Sequence, residues 1–213
     1  KPRRVYYKTR FTGDSLHSIK VSPFPPVVSK SIMNFETSKI SKAFYQDADE
    51  LRFKANGIYN FNKTVYIPIN KKLVVEEGVQ LKLSNGARFV CYGPVQMLGV
   101  EDNPIRIDGI GVKGGGVVFF PNKDSVEMSH VICNNLTDAN TNTWTLTGGI
   151  TIYEGQVGLS NCSFMNARSE DALNLIRCNF EIDGILIDKT YSDGFDADFC
   201  NGQLKNSVFK STG

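Results

Sequence analysis

The chain has 213 residues, with 24 lysines and arginines against 22 aspartates and glutamates, a formal net charge of +2. So near-neutral a balance gives no argument for a nucleic-acid partner, and no run of eighteen apolar residues offers a membrane span. An apolar content of 41% and a charged content of 22% are those of an ordinary globular protein, long enough to bury a substantial core.

Residues 1–56 read as an N-terminal extension and cap. Lys1, Arg3, Arg4, Lys8, Arg10 and Lys20 face only Asp14 in the first twenty residues, and such an arm reads as a solvated terminus able to reach for acidic polymers. Pro23, Pro25 and Pro26 then favour extended backbone. A short helix is expected near 38–51, closing the open end of the structure that follows.

Residues 57–213 read differently. VYIPI, KLVVEEG, VQLKL, RFVCYG, VVFF and ITIYEG are β-branched, aromatic and alternating, with Gly, Asn and Asp between them. The C-terminal third repeats at an offset of 22, placing Asp171 on Asp193, Leu173 on Phe195, Asn174 on Asp196, Cys178 on Cys200 and Ile187 on Phe209. One extra residue brings Phe164 onto Ile187. Leu73, Val95 and Val117 suggest the same period upstream. Three short strands and three turns fill about 22 residues, too few for a helical hairpin repeat, so the expected fold is all-β, a right-handed parallel β-helix. Stacking coils about 4.8 Å apart would pile like residues into an inner core.

Two features stand apart. The polar stretch 134–147 carries the single tryptophan, Trp144, a candidate for stacking on sugar rings. Cys91, Cys133, Cys162, Cys178 and Cys200 lack metal-binding spacing and read as free thiols of a core.

The candidate site is an acidic flank. Asp196 and Asp198 share a strand face about 7 Å apart, with Asn174 expected beside Asp196 and Asp171 beside Asp193. Their oxygens suit Ca²⁺, with Asp171, Asp193 and Asp196 as ligands, or the hydroxyls of a polysaccharide. Asp193, Asp196 and Asp198 are also candidates for general acid and base in glycoside hydrolysis, and Lys189 with Arg168 for base and proton donor in a lyase. The plainer role for such residues is to satisfy turn backbone. The NTD, DD and GHG motifs of pectin-hydrolysing β-helices are absent, which weighs against catalysis.

The runs TWTLTGGITIYEGQVGLSNCSF, SEDALNLIRCNF and YSDGFDADFCNG, with Glu101-Asp102-Asn103-Pro104-Ile105 upstream, resemble bacterial right-handed β-helix domains found C-terminal in proteins similar to spore-coat protein H. The solenoid, the acidic flank and the Trp144 stretch suggest a non-catalytic extracellular or cell-surface module, a scaffold or weak carbohydrate binder, and the resemblance implies coils continuing past Gly213. Further coils of the same chain, or another subunit, are therefore expected on the C-terminal end. It transfers no catalytic residue. A polysaccharide-cleaving enzyme and a structural segment of a larger assembly are the alternatives.

Overall fold

The computed structural model describes residues 49–139 and 145–212, with the backbone alone of 3–7, 17–21 and 44–47. The chain divides into two compact units, Lys1–Phe35 and Glu36–Gly213. In the first, β1 (Arg3–Tyr7) and β2 (His17–Val21) pair antiparallel, Arg3 opposite Val21.

The second opens with β3 (Phe44–Asp47), which pairs antiparallel with β4 (Glu50–Phe53). From β4 onward three strands recur per coil. The first coil adds β5 (Ile58–Phe61) and β6 (Val65–Ile67), and the second holds β7 (Lys72–Glu76), β8 (Gln80–Ser84) and β9 (Ala87–Cys91). The third holds β10 (Val95–Leu98), β11 (Ile105–Ile110) and β12 (Gly115–Phe119), and the fourth β13 (Ser125–Ser129), β14 (Val131–Asn134) and β15 (Gly148–Tyr153). The fifth holds β16 (Gln156–Ser160), β17 (Ser163–Met165) and β18 (Asp171–Ile176). β19 (Asn179–Asp183), β20 (Leu186–Asp188) and β21 (Asp193–Asp198) form the sixth, and β22 (Asn201–Lys205) with β23 (Val208–Lys210) the seventh. Each strand lies on the equivalent strand of the next coil. An eight-stranded sheet runs from β3 and β4 to β22, a seven-stranded sheet from β5 to β23, and a six-stranded sheet from β6 to β21. Every pairing between coils is parallel, so the expected parallel β-helix is the fold.

Corners between sheets are made by single residues in the left-handed region. His130, Asn161, Gly184 and Asn206 turn the first sheet into the second, and Asn135, Asn166, Lys189 and Ser211 the second into the third. Glu154, Arg177 and Phe199 turn the third back to the first. Asparagine accepts this conformation at little steric cost. Up to the sixth coil the turning amides are spent on the next coil: Asn161 N–H donates to the Asp183 carbonyl at 3.0 Å, Asn166 to Asp188 at 3.0 Å and Arg177 to Asp198 at 2.8 Å. The corners therefore hold the stack together along its axis while they turn the chain.

Alternation within the strands sends one set of side chains inward. Leu51, Leu73, Val95, Val126 and Val157 form a buried column down the first sheet. Leu81, Ile107, Cys133, Phe164 and Ile187 do the same in the second. Phe89, Val117, Ile150 and Leu173 do so in the third, ending under the partly buried Phe195. Phe53, Tyr59, Phe61 and Phe89 cluster where the first two coils meet, with ring centroids 4.7–6.2 Å apart.

The C-terminal register is the one the repeat implies, with Leu173 over Phe195, Asn179 over Asn201 and Ile187 over Phe209. Upstream, the regular period fails. Leu73 does pair with Val95, but Val95 pairs with Val126, and Val117 belongs to a different sheet, above Phe89. The third coil carries longer corners, around Val100–Asn103 and Gly111–Gly114, so equal spacing there is coincidence. The helix expected near 38–51 is also corrected over its described part, where residues 44–47 and 50–53 form a hairpin. Leu51 and Phe53 are buried while Glu50 and Arg52 are only partly so, a period of two that suits a strand. Residues 38–43 lie outside the described residues. Among those described, no helix is long and apolar enough to cross a membrane.

All five thiols are free. Burial pushes Cys91 up to about 12 and Cys162 to about 11, while Cys200 alone is partly exposed. With a thiol-reactive dye at pH 8, the folded protein should therefore label rapidly at Cys200 only, and at all five positions after unfolding. Phe164→Ala, emptying a site 1% exposed, should cost about 3–5 kcal/mol in urea unfolding. Tyr191→Ala, at a side chain 80% exposed, should change stability by about 0.5 kcal/mol or less.

Candidate functional site

The acidic flank forms on the outward face of the third sheet, with the pairings expected. Asp171 lies beside Asp193, Asn174 beside Asp196 and Ile176 beside Asp198. It is not, however, an open stripe. Asp171 and Asn174 are each 3% exposed, and the described ends of the stretch between β14 and β15, residues 135–139 and 145–147, lie against that sheet. A side chain at Gly116 would strike the Thr137 carbonyl and Ala139, and one at Gly149 would crowd Leu136 and Ser169. Thr147 lies at the other end, its hydroxyl 3.0 Å from Asn174 Nδ2.

The buried polar groups bind one another. Asn174 Nδ2 donates to Asp171 Oδ2 at 2.8 Å and lies 3.4 Å from Asp196 Oδ2. Asn174 Oδ1 and Thr151 Oγ1, neighbours in the same outward column, are buried without a partner. Asp171 and Asn174 are thus buried structural residues, while Asp193 and Asp198 remain exposed and Asp196 half-buried. Burial pushes the Asp196 carboxyl up. The Ala197 amide, 2.8 Å from Asp196 Oδ1, works against that, and Asp198, Asp171 and Asp193 add to it by repulsion.

Hydrogen bonds place the residues expected to complete a lyase site. The Arg168 guanidinium donates to the Gly111 carbonyl, back toward the third coil and away from β21. Lys189 is a left-handed corner residue whose amide donates to the Lys210 carbonyl. Arg177 pairs with Glu154 at 3.3 Å. Among the described residues no three His, Cys, Asp or Glu side chains converge as metal ligands, Asp171, Asp193 and Asp196 included. Trp144 lies outside the described residues.

A second face was missed by reading the sequence. On the outward side of the first sheet, β13, β16, β19 and β22 line a groove of about 490 Å³. Ser125 and Glu127, Gln156 and Gly158, Asn179 and Glu181, and Asn201 and Gln203 face it in register. Further toward the N-terminus the same face carries ion pairs, Arg52 with Glu50 at 2.6 Å and Glu76 at 3.0 Å, and Lys72 with Glu50 at 3.9 Å, beside a smaller cavity of about 370 Å³ at Arg52, Val74, Glu76 and Gln96. The signal for the groove was present as polar residues two apart in each strand. Its coils are unequal in length, which hid their alignment.

Fold and surface together define the chain as a repeat-built parallel β-solenoid with an open polar face. Comparison with family models, with curated proteins and with solved structures finds no match.

The raised Asp196 carboxyl sets the sign of a pH effect. The folded state holds that proton more tightly than the unfolded chain, so the stability it contributes at low pH is lost as pH rises from about 4 through the folded value. Thermal melts of Asp196→Asn against the parent should diverge with pH, the variant gaining in Tm between pH 3.5 and 7. A difference independent of pH would show that burial and repulsion at Asp196 carry no weight.

Proposed function

We propose that this chain is a non-catalytic extracellular or cell-surface module, a rigid β-helical scaffold that binds glycan weakly along one face. The groove across β13, β16, β19 and β22 carries the reading. Its amides, Gln156, Asn179, Asn201 and Gln203, both donate and accept hydrogen bonds, as sugar hydroxyls do. Rigid strands rather than loops present them, at spacings fixed by the sheet. The similarity of SEDALNLIRCNF and YSDGFDADFCNG to β-helix domains of spore-coat-protein-H-like proteins supports the same class and a bacterial source. Five free thiols are compatible with oxidising surroundings because four of them are buried.

Catalysis at the acidic flank is the weaker reading. Asp171 is covered, Arg168 is held by Gly111, and of the acids only Asp193 and Asp198 lie fully open.

The test is calorimetric titration with a panel of oligosaccharides, alongside an assay for new reducing ends and unsaturated products. Weak binding without cleavage is expected, lost on filling the groove and unaffected by Asp193→Ala. Cleavage abolished by Asp193→Ala or Asp198→Ala would overturn the non-catalytic reading, and silence across the panel would overturn glycan binding.

A further inference from the structure

The groove contains a glycine with no structural reason to be one. Gly158 is the third residue of β16, its side-chain position points outward, and its backbone is ordinary extended strand. A Cβ built there meets nothing within 4 Å. A strand glycine lowers stability by roughly 0.5–1 kcal/mol relative to a residue with a side chain, and here neither a turn nor a close contact requires it. What it leaves is a gap in an otherwise continuous row, with Glu127 on one side and Glu181 on the other.

Their backbones lie two strand spacings apart, about 9.6 Å. Among the described residues no three His, Cys, Asp or Glu side chains gather here as metal ligands. Both residues are exposed. Glu181 makes no hydrogen bond or ion pair among the described residues, and Glu127 meets only the Gln96 amide, at 3.4 Å. No lysine, arginine or histidine lines the groove. The contrast with Arg52, Glu50 and Lys72 on the same sheet is direct, since there each charge is matched within the protein.

Resting on the glycan-binding reading, we propose that the gap over Gly158 seats one ring of an amino-sugar oligosaccharide, its ammonium groups facing Glu127 and Glu181. Anionic glycans of uronic-acid type are repelled. The glycan lies across the strands, along the solenoid axis, with Gln156, Asn179 and Gln203 on its hydroxyls. A chain with net charge +2 has no general attraction for cations, so this preference comes from the groove itself.

Titration with glucosamine oligomers, N-acetylglucosamine oligomers and oligogalacturonides, repeated with a lysine-rich peptide, tests the assignment. Glucosamine oligomers should bind best and oligogalacturonides not at all. Gly158→Val should weaken binding at least about tenfold while Tm holds or rises, a combination that damage to the fold cannot produce. Glu127→Gln and Glu181→Gln should each reduce glucosamine-oligomer affinity by about fivefold or less, the scale of exposed charge pairs, and leave the N-acetylated oligomers unchanged. Equal binding of charged and N-acetylated oligomers, indifferent to both glutamine variants, would overturn the amino-sugar assignment and leave glycan binding standing. Preference for oligogalacturonides, or binding of the peptide alone, would also overturn it. No binding of any glycan would sink both readings.

Discussion

Hydrogen bonding along the axis is the constraint on which this molecule depends. No coil has a partner within itself, so every strand amide and carbonyl must be met by the coil above or below. That requirement fixes the register, and the register in turn decides which side chains meet in the core. The corners obey the same rule. A residue such as Asn161 turns the chain in the left-handed region and still gives its amide to Asp183, so turning costs the stack no hydrogen bond. Buried unpaired amides are expensive, and this economy at the corners is why single residues suffice there.

The same constraint produces the outward faces. With inward positions occupied by columns such as Phe164 over Ile187, the residues between them must align as well, whether or not they pack. On the first sheet this gives matched ion pairs at one end and a groove without matched charges at the other. On the third it gives a polar column in which Asp171 and Asn174 are buried. Similar alternation thus yields an open surface in one place and buried Asp171 and Asn174 in another, where Thr147 bonds to both.

That explains what could be read from the sequence. From β18 onward equivalent residues stand 22 apart, so Asp171 and Asp193, or Leu173 and Phe195, could be superposed by counting. The pairing of Val95 with Val126 could not, because longer corners intervene and counting cannot tell a corner residue from a strand residue. Alternation correctly turned Asn174 outward. Its burial comes with tertiary contacts such as that to Thr147, 27 residues away, which no local pattern encodes. The groove escaped for the first of these reasons, as Glu127, Gly158 and Glu181 stand 31 and 23 residues apart. The N-terminal hairpin was misread as helix even though Leu51 and Phe53 already alternate with Glu50 and Arg52.

The unequal corners have a consequence for how such a chain can change. The extra residues at Val100–Asn103 and Gly111–Gly114, like those between β14 and β15, enter and leave the ladder without shifting the residues stacked on either side. Length can therefore be added or removed at a corner while the interior goes on as before. A lineage built this way can acquire new surface appendages by small insertions, each tried independently, on a frame that does not have to be reinvented.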